Sequence, residues 1–346
     1  MKQDIKNFNL NELRVCLSVI GLKPYMAEQI FDWIYKKGRK SFSEMSNISR
    51  RGRLILEERF YVGNLCLLKD LKSNDDTRKF LFELSDKKSI ETVFIPANKR
   101  STVCLSSQVG CRFKCLFCAS GRSFLRNLTP SEITSQVSCV LNITKQPVSH
   151  IVFMGIGEPM DNYDSVLKAI RILNSPYAFN IGARRITIST SGIIPAIKKL
   201  KNEGLQFELS VSLHSADGVL RNKLMPVNKK YPLKNLISCV KDYISYTNRQ
   251  VTFEYVLMAG VNDALSSADK LSKLLSNLNC KVNLIIFNKT DDARFQPLNK
   301  KDVLAFKDRL LRNGTHTTIR LSRGQDIGAA CGQLRIEHTQ ENYKLG

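Results

Sequence analysis

The sequence predicts an α/β protein: a partial parallel barrel of six βα units preceded by a small α+β module. Two observations carry this reading. After Ser101, short apolar runs at 102–106, 151–154, 186–189, 207–213, 251–257, 282–287 and 317–321 alternate with helical patterns near 131–145, 164–173, 193–203, 233–246, 264–278 and 301–313. The runs Ile151-Val152-Phe153-Met154 and Leu284-Ile285-Ile286-Phe287 are apolar without a break, as strands covered on both faces are. Six such units suit a parallel barrel, complete or partial, better than a sandwich, and a doubly wound sheet is the competing architecture.

The earlier elements follow from the same patterns. Residues 9–59 have helical spacing, with Met26, Ile30, Trp33 and Ile34 on one face, read as core packing. From Tyr61 to Pro96 the pattern shortens to strands, with a turn at Ser73-Asn74-Asp75-Asp76. Residues 1–97 therefore make an accessory domain and 98–346 the barrel core with its C-terminal segment. In the core, Thr129-Pro130-Ser131-Glu132 is a capping box with proline at the first helical position. Gly204 and Gly314 are placed as helix stops.

Composition narrows the function. The N-terminal stretch is polar, and no apolar run is long enough to span a bilayer. A cytoplasmic protein is the expectation, and its ten cysteines then read as thiols or ligands rather than disulfides. Cys16, Cys66, Cys139, Cys239 and Cys280 have core-like contexts. The net charge of +22 implies a polyanionic partner. A Lys-rich solvated surface gives the same sum, but clustering at Lys36-Lys37-Gly38-Arg39-Lys40 and Arg50-Arg51-Gly52-Arg53 favours nucleic acid.

Chemistry concentrates where strands end. Cys111, Cys115 and Cys118 lie on one tight loop after the first barrel strand. Three thiolates on a cubane iron–sulfur cluster leave one iron open to a substrate, whereas clusters that only carry electrons take a fourth cysteine. Zinc is the alternative, but it needs a distant fourth ligand such as His150 or His214. Gly155-Ile156-Gly157-Glu158-Pro159 follows the second strand and lacks the third glycine of a dinucleotide fingerprint, Met160 standing there. Its glycines would let the backbone approach a ligand, and Glu158 could accept from an ammonium. Ser189-Thr190-Ser191-Gly192, Ser212-Leu213-His214 and Asn288 end later strands. Five loops aligned at one face of a parallel barrel form an active-site pattern. His150, His316 and His338 are read as structural. Cys104 precedes the cysteine loop, and Cys331 sits among small residues in Gly328-Ala329-Ala330-Cys331-Gly332, leaving room for a bulky group at sulfur.

The run 106–126 resembles the radical S-adenosylmethionine superfamily. The ordered set Glu91–Pro96, Val103–Cys111, Arg126–Thr129, Met154–Pro159, Arg184–Gly192, Ser212–His214, Leu224–Pro226 and Ala329–Leu334 resembles the RlmN/Cfr family of RNA methyltransferases across almost the whole chain. Glu158-Pro159 and the run 163–170 resemble its C2-modifying branch.

The resemblance implies a [4Fe-4S] cluster on Cys111, Cys115 and Cys118, and two S-adenosylmethionine molecules per turnover. Gly157, Glu158, Ser189 or Ser191, Ser212, Leu213, His214 and Asn288 would contact the cofactor. Cys331 would carry a methyl as methyl-cysteine and form a transient adduct with adenine C2. Cys104 would resolve that adduct through a Cys104–Cys331 disulfide. Glu91 corresponds to the family's proton acceptor, although a Glu there is as readily a salt-bridge partner. Implied partners are 23S rRNA near the peptidyl-transferase centre, tRNA at the adenosine 3′ of the anticodon, and a flavodoxin- or ferredoxin-type electron donor, with the protein a monomer. Rival readings are a C8-modifying methyltransferase, another radical maturase, or a zinc-stabilised RNA-binding protein without catalysis.

Overall fold

A computed structural model describes residues 2–98, 100–290 and 294–335. His338 lies outside the described residues. Ten strands form one open sheet whose spatial order follows the chain. They are β1 (Cys66–Lys72), β2 (Arg78–Glu83), β3 (Ser89–Ile95), β4 (Thr102–Cys104), β5 (His150–Phe153), β6 (Ile186–Thr190), β7 (Glu208–Ser212), β8 (Val251–Leu257), β9 (Cys280–Ile286) and β10 (Thr317–Arg320). Every pairing from β4 to β10 is parallel, which makes the expected partial barrel. The first four strands pair antiparallel, so the sheet runs on without a break from residue 66 into the barrel.

Three helices, α1 (Leu10–Val19), α2 (Met26–Phe31) and α3 (Arg50–Arg59), precede the sheet. The later ones are α4 (Pro130–Thr144), α5 (Tyr163–Asn174), α6 (Ile194–Leu200), α7 (Gly218–Leu224), α8 (Val227–Lys230), α9 (Leu233–Thr247), α10 (Leu265–Leu275) and α11 (Lys300–Arg312). Six of these, α4, α5, α6, α9, α10 and α11, connect successive parallel strands, one crossover to each expected βα unit. Among the described residues no helix is long and apolar enough to cross a membrane.

Strand alternation splits the barrel's two faces. Ile186, Ile188, Leu209, Val211 and Phe253 point outward into the main apolar core. Thr187, Ser210, Thr252, Glu254 and Asn283 point into the lumen instead. A second core joins α1–α3 to Ile172 and Ala178 of the barrel. The junction is also polar: Asn7 Oδ1 accepts from Ser131 N (3.0 Å), and the buried Lys6 ammonium donates to Gly63 O (3.3 Å) and Ser135 Oγ (2.5 Å).

Trp33 packs half-buried against this second core, with its indole N–H donating to Asn47 Oδ1 (2.6 Å) and Lys37 Nζ 3.7 Å from the ring centroid. The helix around it widens into a π turn, Asp32–Lys36. One local expectation needs correction. Cys66 is exposed, because β1 is the sheet's edge strand and none of its residues is covered.

The capping box before α4 has both bonds, Glu132 N to Thr129 Oγ1 (3.2 Å) and Thr129 N to Glu132 Oε2 (2.9 Å). Thr129→Ala removes one of them and should cost about 1 kcal/mol, read as a lower urea midpoint with an unchanged slope.

Candidate active site

The carboxyl ends of β5 to β9 and the loop after β4 enclose a cavity of about 170 Å³. Cys111, Cys115 and Cys118 line it, with Gly157, Glu158, Ser189, Ser191, Ser212, His214, Asn288 and Cys331. Leu213 does not: its side chain is wholly buried in the main core, and its carbonyl accepts from Arg221 Nε (3.1 Å). Cys104 lines a second cavity of about 570 Å³ in the barrel lumen. Cys331, Met154, Glu254, Ile285 and Arg320 line both cavities. Glu91 lines neither. Its buried carboxylate holds Lys79 Nζ (2.8 Å) and accepts from Arg335 N (2.8 Å), which is the ion-pair arrangement.

The cysteine loop is fixed from three sides. Cys111 N donates to Ser123 O (2.7 Å), Leu116 N to Leu224 O (3.0 Å), and Ala119 N to Gly332 O (2.8 Å). Phe117, between the second and third cysteines, meets the His214 ring edge-on at 4.7 Å. Burial pushes all three thiols up, Cys111 to about 12. Among the described residues no three His, Cys, Asp or Glu side chains converge on a single-ion position. A cubane cluster takes each thiolate on a separate iron, and three thiols in one cavity wall suit it.

The glycines of the loop after β5 line the cavity and also let the chain pack closely against itself. Gly157 has φ +105°, and a Cβ there would stand 2.6 Å from Gln108 Cβ; one on Gly155 would stand 2.7 Å from the Leu105 carbonyl. Close seating of this turn brings Glu158 N to Gln108 Oε1 (2.9 Å). The Glu158 carboxylate accepts from Met160 N (3.1 Å) and Ser191 N (2.7 Å). Burial pushes its carboxyl up, and those bonds oppose the shift.

Arg221 was not anticipated. Fully buried on α7, it donates to Ser191 O (2.8 Å), Ser212 O (3.0 Å), Leu213 O and Asn228 Oδ1 (2.7 Å). Burial lowers it to about 10. Both main-chain groups of Ser191 are thus occupied, while its buried hydroxyl lines the cavity and has no hydrogen-bond partner among the described residues. Glu254 and Arg320 were also missed, although each is a charged residue inside an apolar strand run, a legible signal.

The Cys331 segment is clamped as well. Asn288 Nδ2 donates to Cys331 O (3.0 Å), Ser120 Oγ to Leu334 O (2.6 Å), and Lys79 Nζ to Gly328 O (3.3 Å). Asn288, expected as a cofactor contact, therefore also orients the cysteine.

A parallel half-barrel with a three-cysteine loop over its strand ends defines the radical S-adenosylmethionine class, and residues 105–271 match the Radical SAM superfamily. Residues 3–62 match the "Ribosomal RNA large subunit methyltransferase N-terminal domain". A "Probable dual-specificity RNA methyltransferase RlmN" of Geobacillus kaustophilus is 46% identical over 344 residues, covering 98% of this chain and 94% of the relative. Its counterpart from Caldicellulosiruptor saccharolyticus is 44% identical and covers 98% of both. A crystal structure of a radical SAM methyltransferase from Sphaerobacter thermophilus superposes with a TM-score of 0.91 at 40% identity, over 96% of this chain and 99% of that one. The chain belongs to the RlmN family.

His214 yields a pH prediction. Its Nδ1 accepts from Val256 N (3.0 Å), and burial, with Arg221 nearby, lowers the imidazole to about 3. The folded protein keeps it neutral, whereas the unfolded chain protonates it below about pH 6.5. Stability should therefore fall between pH 6.5 and 3 by on the order of 1.4 kcal/mol per pH unit from this residue. His214→Gln, measured by urea unfolding across that range, should flatten the acid limb; an unchanged slope would contradict the neutral assignment.

Proposed function

We propose that this chain methylates C2 of adenosine in RNA, in 23S rRNA at the peptidyl-transferase centre and in tRNA at the adenosine 3′ of the anticodon. The observation that carries the reading is the place of Cys331 in the wall shared by the two cavities. The relatives' names, the N-terminal match and the charge of +22 support an RNA substrate.

In this reading Cys111, Cys115 and Cys118 hold the [4Fe-4S] cluster, and the rest of the smaller cavity receives S-adenosylmethionine. Gly157 and Glu158 meet its amino group, and Ser189, Ser191, Ser212, His214 and Asn288 surround the remainder. Bound there, the cluster supplies the one-electron cleavage of S-adenosylmethionine that yields a hydrogen-abstracting radical, drawing on a flavodoxin- or ferredoxin-type donor. Cys331, as thiolate, takes a methyl from one S-adenosylmethionine by displacement; a second molecule is spent on activation. C2 of adenine has no lone pair with which to attack a sulfonium, so carbon joined to the Cys331 sulfur must make the new bond.

The larger cavity receives the target base, splayed out of its stack because a stacked base cannot reach so far inside. Cys104, in that cavity's wall, attacks the Cys331 sulfur. The C2 hydrogen leaves as a proton to solvent, and the adduct returns the one electron drawn from the donor. The sulfur–carbon bond then breaks, the product carbon takes a proton, and a Cys104–Cys331 disulfide forms, to be reduced before the next turnover. Glu91, through Lys79 and Arg335, holds the segment that presents Cys331.

Anaerobic incubation with S-adenosylmethionine, reductant and RNA should leave a methyl on Cys331 by peptide mass mapping; an unmodified Cys331 overturns the reading. Cys104→Ala should accumulate a covalent protein–RNA adduct and lose product formation by at least two orders of magnitude (~10²-fold, as for loss of a reacting group). Clean turnover in that variant refutes its resolving role. Labelled product should carry the methyl at C2; a label at C8 would assign the chain to the other branch.

A further inference from the structure

Arg320 is a cation that the steps above do not use. It ends β10, lines both cavities, and reaches across the lumen to donate to Met154 Sδ (3.0 Å) just beyond β5. Among the described residues it forms no ion pair with a carboxylate. Arg320 is half-buried, and a cation so placed needs compensation. The acidic groups that face it are Glu254 from β8, Cys104 from β4 and Cys331 from the C-terminal loop. Glu254 spends Oε1 on Ser210 Oγ (3.2 Å) and Asn283 Nδ2 (3.3 Å), while its buried Oε2 has no hydrogen-bond partner among the described residues. Arg100, Arg184, Lys281 and Arg323 are the other cations in the larger cavity's wall.

From this placement we infer that Arg320 is a positioning residue that serves as the shared counter-ion of Cys331 and Cys104, favouring whichever sulfur is the thiolate. The two thiols act in turn. When Cys331 gives its charge to a sulfonium methyl, the S–CH₃ bond forms, the sulfonium C–S bond breaks and a neutral thioether leaves. The guanidinium then faces Cys104 as the remaining thiol. Burial pushes Cys104 up to about 12, with Cys331 adding to the shift, and Arg320 is the nearby cation that opposes it. Arg320 itself is held above its usual value, by Cys331 first. A fixed cation on a seam common to both cavities can assist both sulfurs without moving.

The inference rests on the reading of Cys331 and Cys104 as the reactive thiols, but its test reads no methyl transfer. The full-length protein, without S-adenosylmethionine or RNA, is treated at fixed pH with a neutral, a cationic and an anionic methanethiosulfonate. Modification of Cys104 and Cys331 is followed by peptide mass mapping. Arg320→Met should slow the neutral reagent at both thiols by roughly tenfold, about one pK unit's loss of thiolate. It should slow the anionic reagent more than the cationic one, and Arg320→Lys should restore the rates. Unchanged rates in Arg320→Met, equal slowing of all three reagents (an effect on access), or a Lys variant as slow as the Met variant would each overturn the inference. Arg320→Gln replaces Arg320→Met if the latter does not fold. An unmethylated Cys331 in the turnover experiment would sink the functional reading and leave this result standing.

Discussion

Parallel strands that stop inside a protein leave main-chain groups at their ends that water does not reach, and the site is built on how those groups are satisfied. Glu158 supplies the acceptors and Arg221 the donors. The carboxylate takes the N–H groups of Met160 and Ser191, and the guanidinium takes the carbonyls of Ser191, Ser212 and Leu213. Ser191 is where the two meet, with N–H on one and carbonyl on the other. Removing either ion would orphan buried partners on two or more loops at once, which costs more than the loss of one surface ion pair. The cavity floor is thus fixed before any ligand arrives, and the Ser191 hydroxyl is left as a polar group free to receive one.

The roof depends on a different part of the chain. Cys331 lies beyond the last strand, on a segment with no regular pairing, and needs external anchors. Asn288 holds its carbonyl, and the cysteine loop holds Gly332 and Leu334. The antiparallel strands contribute the rest. Lys79 on β2 bonds Gly328 and pairs with Glu91 on β3, and the turn after β1 grips the segment through Asp75 to Gly324 N (3.0 Å) and Ser73 Oγ to Asp326 (2.5 Å). Residues 66–95 therefore extend the barrel sheet and brace the loop that carries its most distant thiol.

Much of this was legible in the sequence for physical reasons. Parallel strands covered by helices must be apolar, so the seven runs and six helices stood out, and three thiols on one loop declare themselves by spacing. What was hidden is long-range. Arg221 looks like any helical arginine, and only the fold shows that it reaches three carbonyls across two loops. Gly155 and Gly157 look like ligand-approach glycines, and only the fold shows that they also admit their own chain at 105–108. Leu213 lies inside a polar triplet but alternates outward, because strand period sends its neighbours to the lumen and it to the core.

The division into two cavities bears on selectivity as well as reach. A radical formed beside free thiols abstracts hydrogen from them readily, because S–H bonds are weaker than C–H bonds. Cys104 lines only the larger cavity, away from the three-cysteine loop, while Cys331 alone among the thiols borders both. In the proposed reaction the thiol nearest the radical source is already capped by its methyl, so abstraction there starts the chemistry. The thiol still carrying hydrogen stands behind the wall with the target base. Keeping Cys104 buried and protonated until an adduct forms also delays the disulfide to the end of the cycle. Burial raises the Cys104 thiol, and Arg320 in the same wall opposes that rise.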